Sequence, residues 1–353
     1  MPVIKLPVLI DPHVHLRDPG ATKKEDFSTG TKAALAGGFC VVFDMPNNPQ
    51  PTITKVALHK KSRIASKKAY CDYGFFFGAS QADNTKDYKQ IYKEVVGLKV
   101  YMDTTTGSLL LDKLDILKRT FQAWPGKKPI VVHAENGNLA KAIGLASIYD
   151  KKLHIAHLSQ QSELELVMSA KRRGMDVTCE VAPHHLFLTE KDVSKLGSYG
   201  YMKPYLRTRK DVNFLWKYID AVDCIATDHA PHTKEEKDSH NPPFGVPGLE
   251  TSLPLMLTAV NNGKLSMKNL VRLMSSGPLK IFNPNLRASD YIVEVNMSSK
   301  YILKSNNMYS KCGWTPFEGR SVKGAVRRVI IRNEVVFKDG DLLAEIGFGK
   351  KIE

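Results

Sequence analysis

The chain has 353 residues and a formal charge of +15, from 51 basic against 36 acidic side chains, with 42% apolar residues and five cysteines. A chain of that size buries a core without staples, and the scattered Cys40, Cys71, Cys179, Cys224 and Cys312, with no C-x-x-C, read as reduced thiols of a cytoplasmic protein. The apolar runs are strand-sized, which excludes a membrane span, and the lysines are dispersed among acids without a nucleic-acid motif, so the positive charge points to steering of a small anionic substrate.

From the N-terminus, residues 3–10 are an apolar run that leads into Asp11-Pro12-His13-Val14-His15. Strands are expected at 39–44, 71–77, 98–102, 129–134, 154–158, 177–181 and 224–227, which with the opening run makes eight. Between them, helices are expected at 56–68, 86–96, 109–123 and 139–148. The basic cluster His59-Lys60-Lys61-Ser62-Arg63 reads as the solvated face of the first of these. After 154–158 comes an amphipathic helix, with Ser159 placed to cap it, Leu164, Val167 and Met168 as its apolar stripe, and Gly174 at its end. Near-continuous apolar strands alternating with helices predict a parallel sheet covered on both sides, a (β/α)8 TIM barrel over residues 1–285. Beyond, 291–295 and 326–337 alternate without helices, and Asn333-Glu334 sits where a turn fits. Residues 286–353 therefore predict a small β appendage, joined by the chain start.

In such barrels the site lies at the C-terminal ends of the strands. Two residues apart on a strand, His13 and His15 share a face and can hold one metal ion, but a tight site needs three or four protein ligands. The polar residues ending the other runs supply them: Lys99 on strand four, His133 on five, His157 on six and Asp228 on eight. Strand seven ends in Glu180, followed by His184-His185. Alternation puts His157 on the face of Ile155 and leaves His154 on the other, as a structural residue. Lys99 is the odd member, because a buried lysine is costly unless paired.

This order of His-x-His, Lys, His, His and Asp resembles the amidohydrolase superfamily. The phrases His13-Val14-His15-Leu16-Arg17-Asp18-Pro19-Gly20, Met45-Pro46-Asn47 and Asp228-His229-Ala230-Pro231-His232 are similar to those of the dihydroorotases within it. Stretches 178–188, 247–251 and 314–319 look like the dihydroorotase domain of animal-type multifunctional pyrimidine proteins. The resemblance implies two Zn²⁺ ions: one on His13, His15 and Asp228, the other on His133 and His157, bridged by a carboxylated Lys99. It implies the reversible cyclisation of N-carbamoyl-L-aspartate to L-dihydroorotate, with a bridging hydroxide and Asp228 as general acid and base. Substrate contacts would come from Arg17, Asn47, Lys203, His232, Ala230 and the loop beginning at Gly245. It also implies a homodimer, and tethering to carbamoyl-phosphate synthetase and aspartate transcarbamoylase domains.

Three positions depart from the animal pattern. Lys203-Pro204 stands where an Arg-Pro pair is expected, which keeps the charge and loses the fork. Thr105-Thr106 stands where Thr-Phe is expected and resembles the closing loop of bacterial dihydroorotases. Ala156 precedes His157 where a cysteine is expected, which weighs against a third metal. The rival readings are a hydantoinase, dihydropyrimidinase or allantoinase, which share the metal core, and a catalytically dead assembly domain. Arg17 and His232 favour a substrate with a free carboxylate, and no ligand is missing.

Overall fold

The structure, a computed structural model, describes residues 3–353. Eight parallel strands form one sheet in sequence order: β2 (Ile10–Val14), β3 (Val41–Asp44), β4 (Asp72–Gly78), β5 (Gly97–Tyr101), β6 (Ile130–His133), β7 (Leu153–Ile155), β8 (Val177–Val181) and β9 (Cys224–Ile225). A parallel bridge between Val14 and His229 brings the chain beyond β9 back to β2. With helices between the strands, this is the (β/α)8 barrel expected. A five-stranded antiparallel sheet completes the fold, in the order β1 (Val3–Leu6), β10 (Tyr291–Ile302), β11 (Ser321–Ile331), β12 (Glu334–Lys338) and β13 (Asp341–Leu342). The opening apolar run thus splits: its first part joins this sheet and its end becomes the first barrel strand.

Several local expectations shift. The helix expected at 86–96 is a single α-turn, Tyr88–Ile91, between two 3₁₀ turns. It has no room to continue, because Val95 is already extended and the Val96 amide bonds Phe75 O on the way into β5. The next helix starts late, at Leu114, because Leu110 pairs with Tyr101 as a bridge. Gln160, not Ser159, caps the helix Gln161–Arg172, in a capping box with Glu163. A further helix, Phe27–Ala36, lies between β2 and β3, capped by Asp26 in a box with Thr29. The turn between β11 and β12 falls at Arg332-Asn333, both with positive φ, one residue before the place expected. Lys61 is not on a solvated face: it is fully buried, ion-paired to Asp44 at 2.5 Å, and donates to Met45 O and Asn48 Oδ1.

The antiparallel sheet packs directly on the barrel. Val293, Val295, Val329, Ile331, Val336 and Phe337 belong to the same apolar cluster as the barrel strands. At the start of β4 the fully buried Asp72 carboxylate accepts from Tyr291 Oη at 2.7 Å, Arg332 Nη1 at 2.6 Å and the Lys350 amide at 2.7 Å. Between β10 and β11 the chain makes an excursion over the top of the barrel. There Leu303, Trp314 and Phe317 pack with Leu188, Met202 and Val246. Trp314 Nε1 donates to His232 O at 2.7 Å, so this excursion braces the loop after β9.

Removing one partner of a buried charge pair leaves the other uncompensated. Arg332→Ala is expected to destabilise the fold by about 3 kcal/mol. Urea unfolding checks this, and an unchanged midpoint would mean that Tyr291 and Lys350 suffice for Asp72.

Candidate metal centre and substrate pocket

The metal-site residues converge at the C-terminal mouth of the barrel. His13 Nε2 and His15 Nε2 lie 3.5 and 3.1 Å from Asp228 Oδ1, and the three groups are close enough together to hold one ion. Each ring's other nitrogen is engaged: His13 Nδ1 by Glu180 Oε1 at 2.5 Å, His15 Nδ1 by Asn47 Oδ1 at 2.7 Å. With its proton held on Nδ1, each imidazole turns a lone pair inward, the arrangement typical of metal-binding histidines. Across the mouth, His133 Nδ1 and His157 Nε2 are 2.9 Å apart. His133 Nε2, His157 Nδ1 and Lys99 Nζ are buried without a hydrogen-bond partner. An unpartnered buried polar atom costs about 1–3 kcal/mol, so three in one place call for a ligand. Burial pushes His13, His15, His133 and His157 below the ordinary histidine range, which favours the neutral, metal-binding form. Neutral imidazoles with a carboxylate fit a metal ion.

Two carboxylates and a lysine set the electrostatics. Burial pushes Asp228 up to about 6, against the pull of His13 and Lys99. Burial pushes Lys99 down to about 8, while Glu180 and Asp228 work the other way. Burial alone would raise Glu180, but the facing His13 and His154 imidazoles outweigh it and hold the carboxyl below the usual range.

Backbone geometry aims these groups. His157 and Asp228 both have positive φ, 36° and 47°, so the chain turns sharply where each strand ends. That turn overturns the alternation argument for His154. His154 also points into the barrel, where Nε2 is 3.1 Å from Glu180 Oε2 and Nδ1 is 2.9 Å from Thr178 Oγ1. It remains a structural residue, but directly beneath the site. His154, Glu180 and Cys224 form a second buried group able to hold a metal, although Glu180 is already bonded to His13, His154 and the His157 amide. Asp11 ties β2 to the chain leaving β9, accepting from the His13 amide and from Thr227 N and Oγ1.

Beside the metal-site residues is a cavity of about 20 Å³, lined by Arg17, Asn47, Thr105, Thr106, Lys203, Ala230 and Gly245 among others. Tyr101 and Phe244 also line it, and sequence reasoning passed over both. Tyr101 could have been found, because it shares the face of Lys99 two residues earlier on β5. The strand-end position of Glu180 does not reveal that it orients His13, a contact that needs the fold. His232 stands one layer back, fully buried, with Nε2 3.2 Å from Arg17 Nη2 and 3.0 Å from Phe244 O. Lys203 Nζ donates to Thr104 O at 3.1 Å and sits 5.0 Å from the Phe244 ring centre. Asn47 Nδ2 donates to Thr106 O and Thr106 Oγ1 to Phe244 O, both at 3.0 Å.

Residues 4–286 match the amidohydrolase family. The dihydroorotase of Pyrococcus furiosus is 36% identical over 362 residues, covering 96% of this chain and 83% of that protein. The chain belongs to the amidohydrolases, among the dihydroorotases. Multifunctional protein CAD of Squalus acanthias is 45% identical over 351 residues, which is 99% of this chain but only 16% of that protein. The chain therefore spans about a sixth of that relative. Among solved structures, the L-hydantoinase of Arthrobacter aurescens superposes with a TM-score of 0.93 at 26% identity, covering 99% of this chain and 88% of that one. The family implies a metal, and the buried donor set fits one. Among the described residues no helix is long and apolar enough to cross a membrane.

Partners that orient a metal-binding histidine typically account for 10- to 100-fold in metal affinity. Glu180→Gln is expected to weaken divalent-metal binding by about that factor. Competition against a chromophoric chelator measures it, and unchanged affinity would remove Glu180 from the orienting role.

Proposed function

We propose that this site interconverts N-carbamoyl-L-aspartate and L-dihydroorotate, the ring closure with loss of water that serves pyrimidine synthesis. The observation that carries the reading is the unpartnered Lys99 amine at the centre of four neutral histidines and Asp228, with Arg17 lining the same cavity. A lysine pushed down to about 8 has a sizeable neutral fraction near pH 7 to 8. Its lone pair can add to CO₂, releasing a proton and leaving a carbamate. That changes an amine without a hydrogen-bond partner into an oxygen ligand. When bound, two zinc ions shared by the carboxylated Lys99, His13, His15, His133, His157 and Asp228 would supply an activated water and polarise the substrate carbonyl.

The chain's own residues perform the rest. In the hydrolytic direction Asp228 takes the water proton as the oxygen joins the ring carbonyl carbon. It returns that proton to the ring nitrogen as the carbon–nitrogen bond breaks. Ring closure is the reverse. Arg17 offers a fixed fork for the substrate's other carboxylate, with Asn47, Lys203 and the backbone at Ala230 and Gly245 around it. The free carboxylate is what separates this reaction from a hydantoinase reaction on the same barrel. A catalytically dead assembly domain is disfavoured because every expected ligand is present.

A cavity of about 20 Å³ holds about one water, so the loop carrying Thr105 and Thr106 must move outward to admit a six-membered ring. Its three bonds, from Lys203, from Asn47 and to Phe244, support reading it as a lid in the closed position. Assembly as a homodimer, tethering to carbamoyl-phosphate synthetase and aspartate transcarbamoylase domains, and a cytoplasmic location belong to the same reading. Five buried free thiols suit a reducing compartment.

Ultraviolet absorbance of dihydroorotate opening and closure tests the reaction. Zinc-loaded protein is expected to turn over in both directions, and Lys99→Ala to lose at least about 100-fold in kcat, the scale of one electrostatic catalytic group. Absence of activity in metal-replete protein would overturn the reading, and wild-type activity in Lys99→Ala would refute the bridge. Thr105→Gly is expected to lower kcat while metal content stays at the wild-type level, and unchanged kinetics would sink the lid.

A further inference from the structure

His232 is fully buried behind Arg17, and each of its ring nitrogens faces one donor and one acceptor. Nδ1 lies 3.2 Å from Lys24 Nζ and 3.3 Å from Glu236 Oε2. Nε2 lies 3.2 Å from Arg17 Nη2 and 3.0 Å from Phe244 O. A lysine ammonium and a guanidinium can only donate, whereas a carboxylate and a carbonyl can only accept. A neutral imidazole carries one proton, so it can satisfy only one consistent set. With the proton on Nε2, Lys24 donates to Nδ1 and the ring donates to Phe244 O. With the proton on Nδ1, the ring donates to Glu236 and takes a hydrogen from Arg17.

We infer that Lys24 is a positioning residue that holds His232 in the Nε2–H form and so keeps an Arg17 N–H free for the anionic group of the substrate. This rests on the reading of the cavity as a carboxylate-binding site. Glu236 does not need the His232 proton. Its Oε2 already accepts from the Thr233 amide at 3.3 Å, and its Oε1 pairs with Lys24 at 3.1 Å and Lys23 at 3.6 Å. Phe244 O also receives Thr106 Oγ1, so a ring proton there adds to the bonds that hold the loop of Thr106. The Nε2–H form therefore supports that loop and spares Arg17, whose Nε is used on Pro231 O. In the opposite form the ring nitrogen takes one Arg17 Nη2 hydrogen and pulls the guanidinium toward His232, away from an incoming carboxylate. Burial keeps His232 well below the ordinary histidine range, so the ring stays neutral and the tautomer is the variable.

Nitrogen-15 NMR of histidine-labelled, zinc-loaded protein reads the tautomer directly. The wild type is expected to carry the His232 proton on Nε2, and Lys24→Leu to move it to Nδ1. With that shift, KM for carbamoyl aspartate should rise about tenfold, with kcat and metal content near wild type and Lys24→Arg restoring both tautomer and KM. A wild-type proton on Nδ1, or a Lys24→Leu variant that keeps it on Nε2, overturns the inference, as does a tautomer shift with unchanged KM. Lys24→Leu is a partly exposed site, and circular dichroism confirms that the variant folds. The NMR signal does not depend on turnover. An inactive protein with the expected tautomer shift would therefore count against the dihydroorotase reading, while an active one without it would count against Lys24.

Discussion

The site hangs on one buried carboxylate. Glu180, at the end of β8, accepts from His13 on β2, from His154 on β7 and from the backbone of His157 beyond β7. The ends of β2 and β7, far apart in sequence, are thereby held to one pair of oxygens on β8. A buried carboxylate is costly unless its lone pairs are filled, and here the partners that fill them are the groups that must be aimed. The same contact keeps the His13 proton on Nδ1 and turns its Nε2 toward Asp228. Rigidity and ligand geometry thus have a common cause.

Around that carboxylate the barrel concentrates polar groups that would be intolerable alone. Lys99, His133 and His157 each leave a buried nitrogen without a partner, while Asp228 and Asp11 are pushed up by burial. Strain and unmet polarity gather at functional sites because the surrounding core holds them there. The left-handed turns at His157 and Asp228 belong to the same pattern.

The loops above the barrel are braced from outside it. The excursion between β10 and β11 packs Trp314 against the loop that carries His232, and Phe244 O lies within hydrogen-bond reach of both His232 and Thr106. The antiparallel sheet shares the barrel's apolar core and is locked to β4 through Asp72. The appendage therefore bears on the chemistry through the loops it supports rather than through any residue in the cavity.

Much of this was legible in the residues alone. Apolar runs separated by helical stretches are what a parallel barrel needs for burial on both faces, so the fold class and the convergence of the strand-end residues His13, His15, Lys99, His133, His157 and Asp228 could be read off. What could not be read were the places where backbone departs from ideal alternation. The positive φ at His157 reverses the side expected of His154, and only the packed barrel imposes it. The burial of Lys61 against Asp44, and the retreat of His232 behind Arg17, are likewise decided by neighbours distant in sequence. Local pattern determines which side chains reach the mouth of the barrel, because strand period is a property of the chain itself. Which of them then touch each other depends on loop closure and on competition among buried donors and acceptors, and these exist only once the strands are assembled.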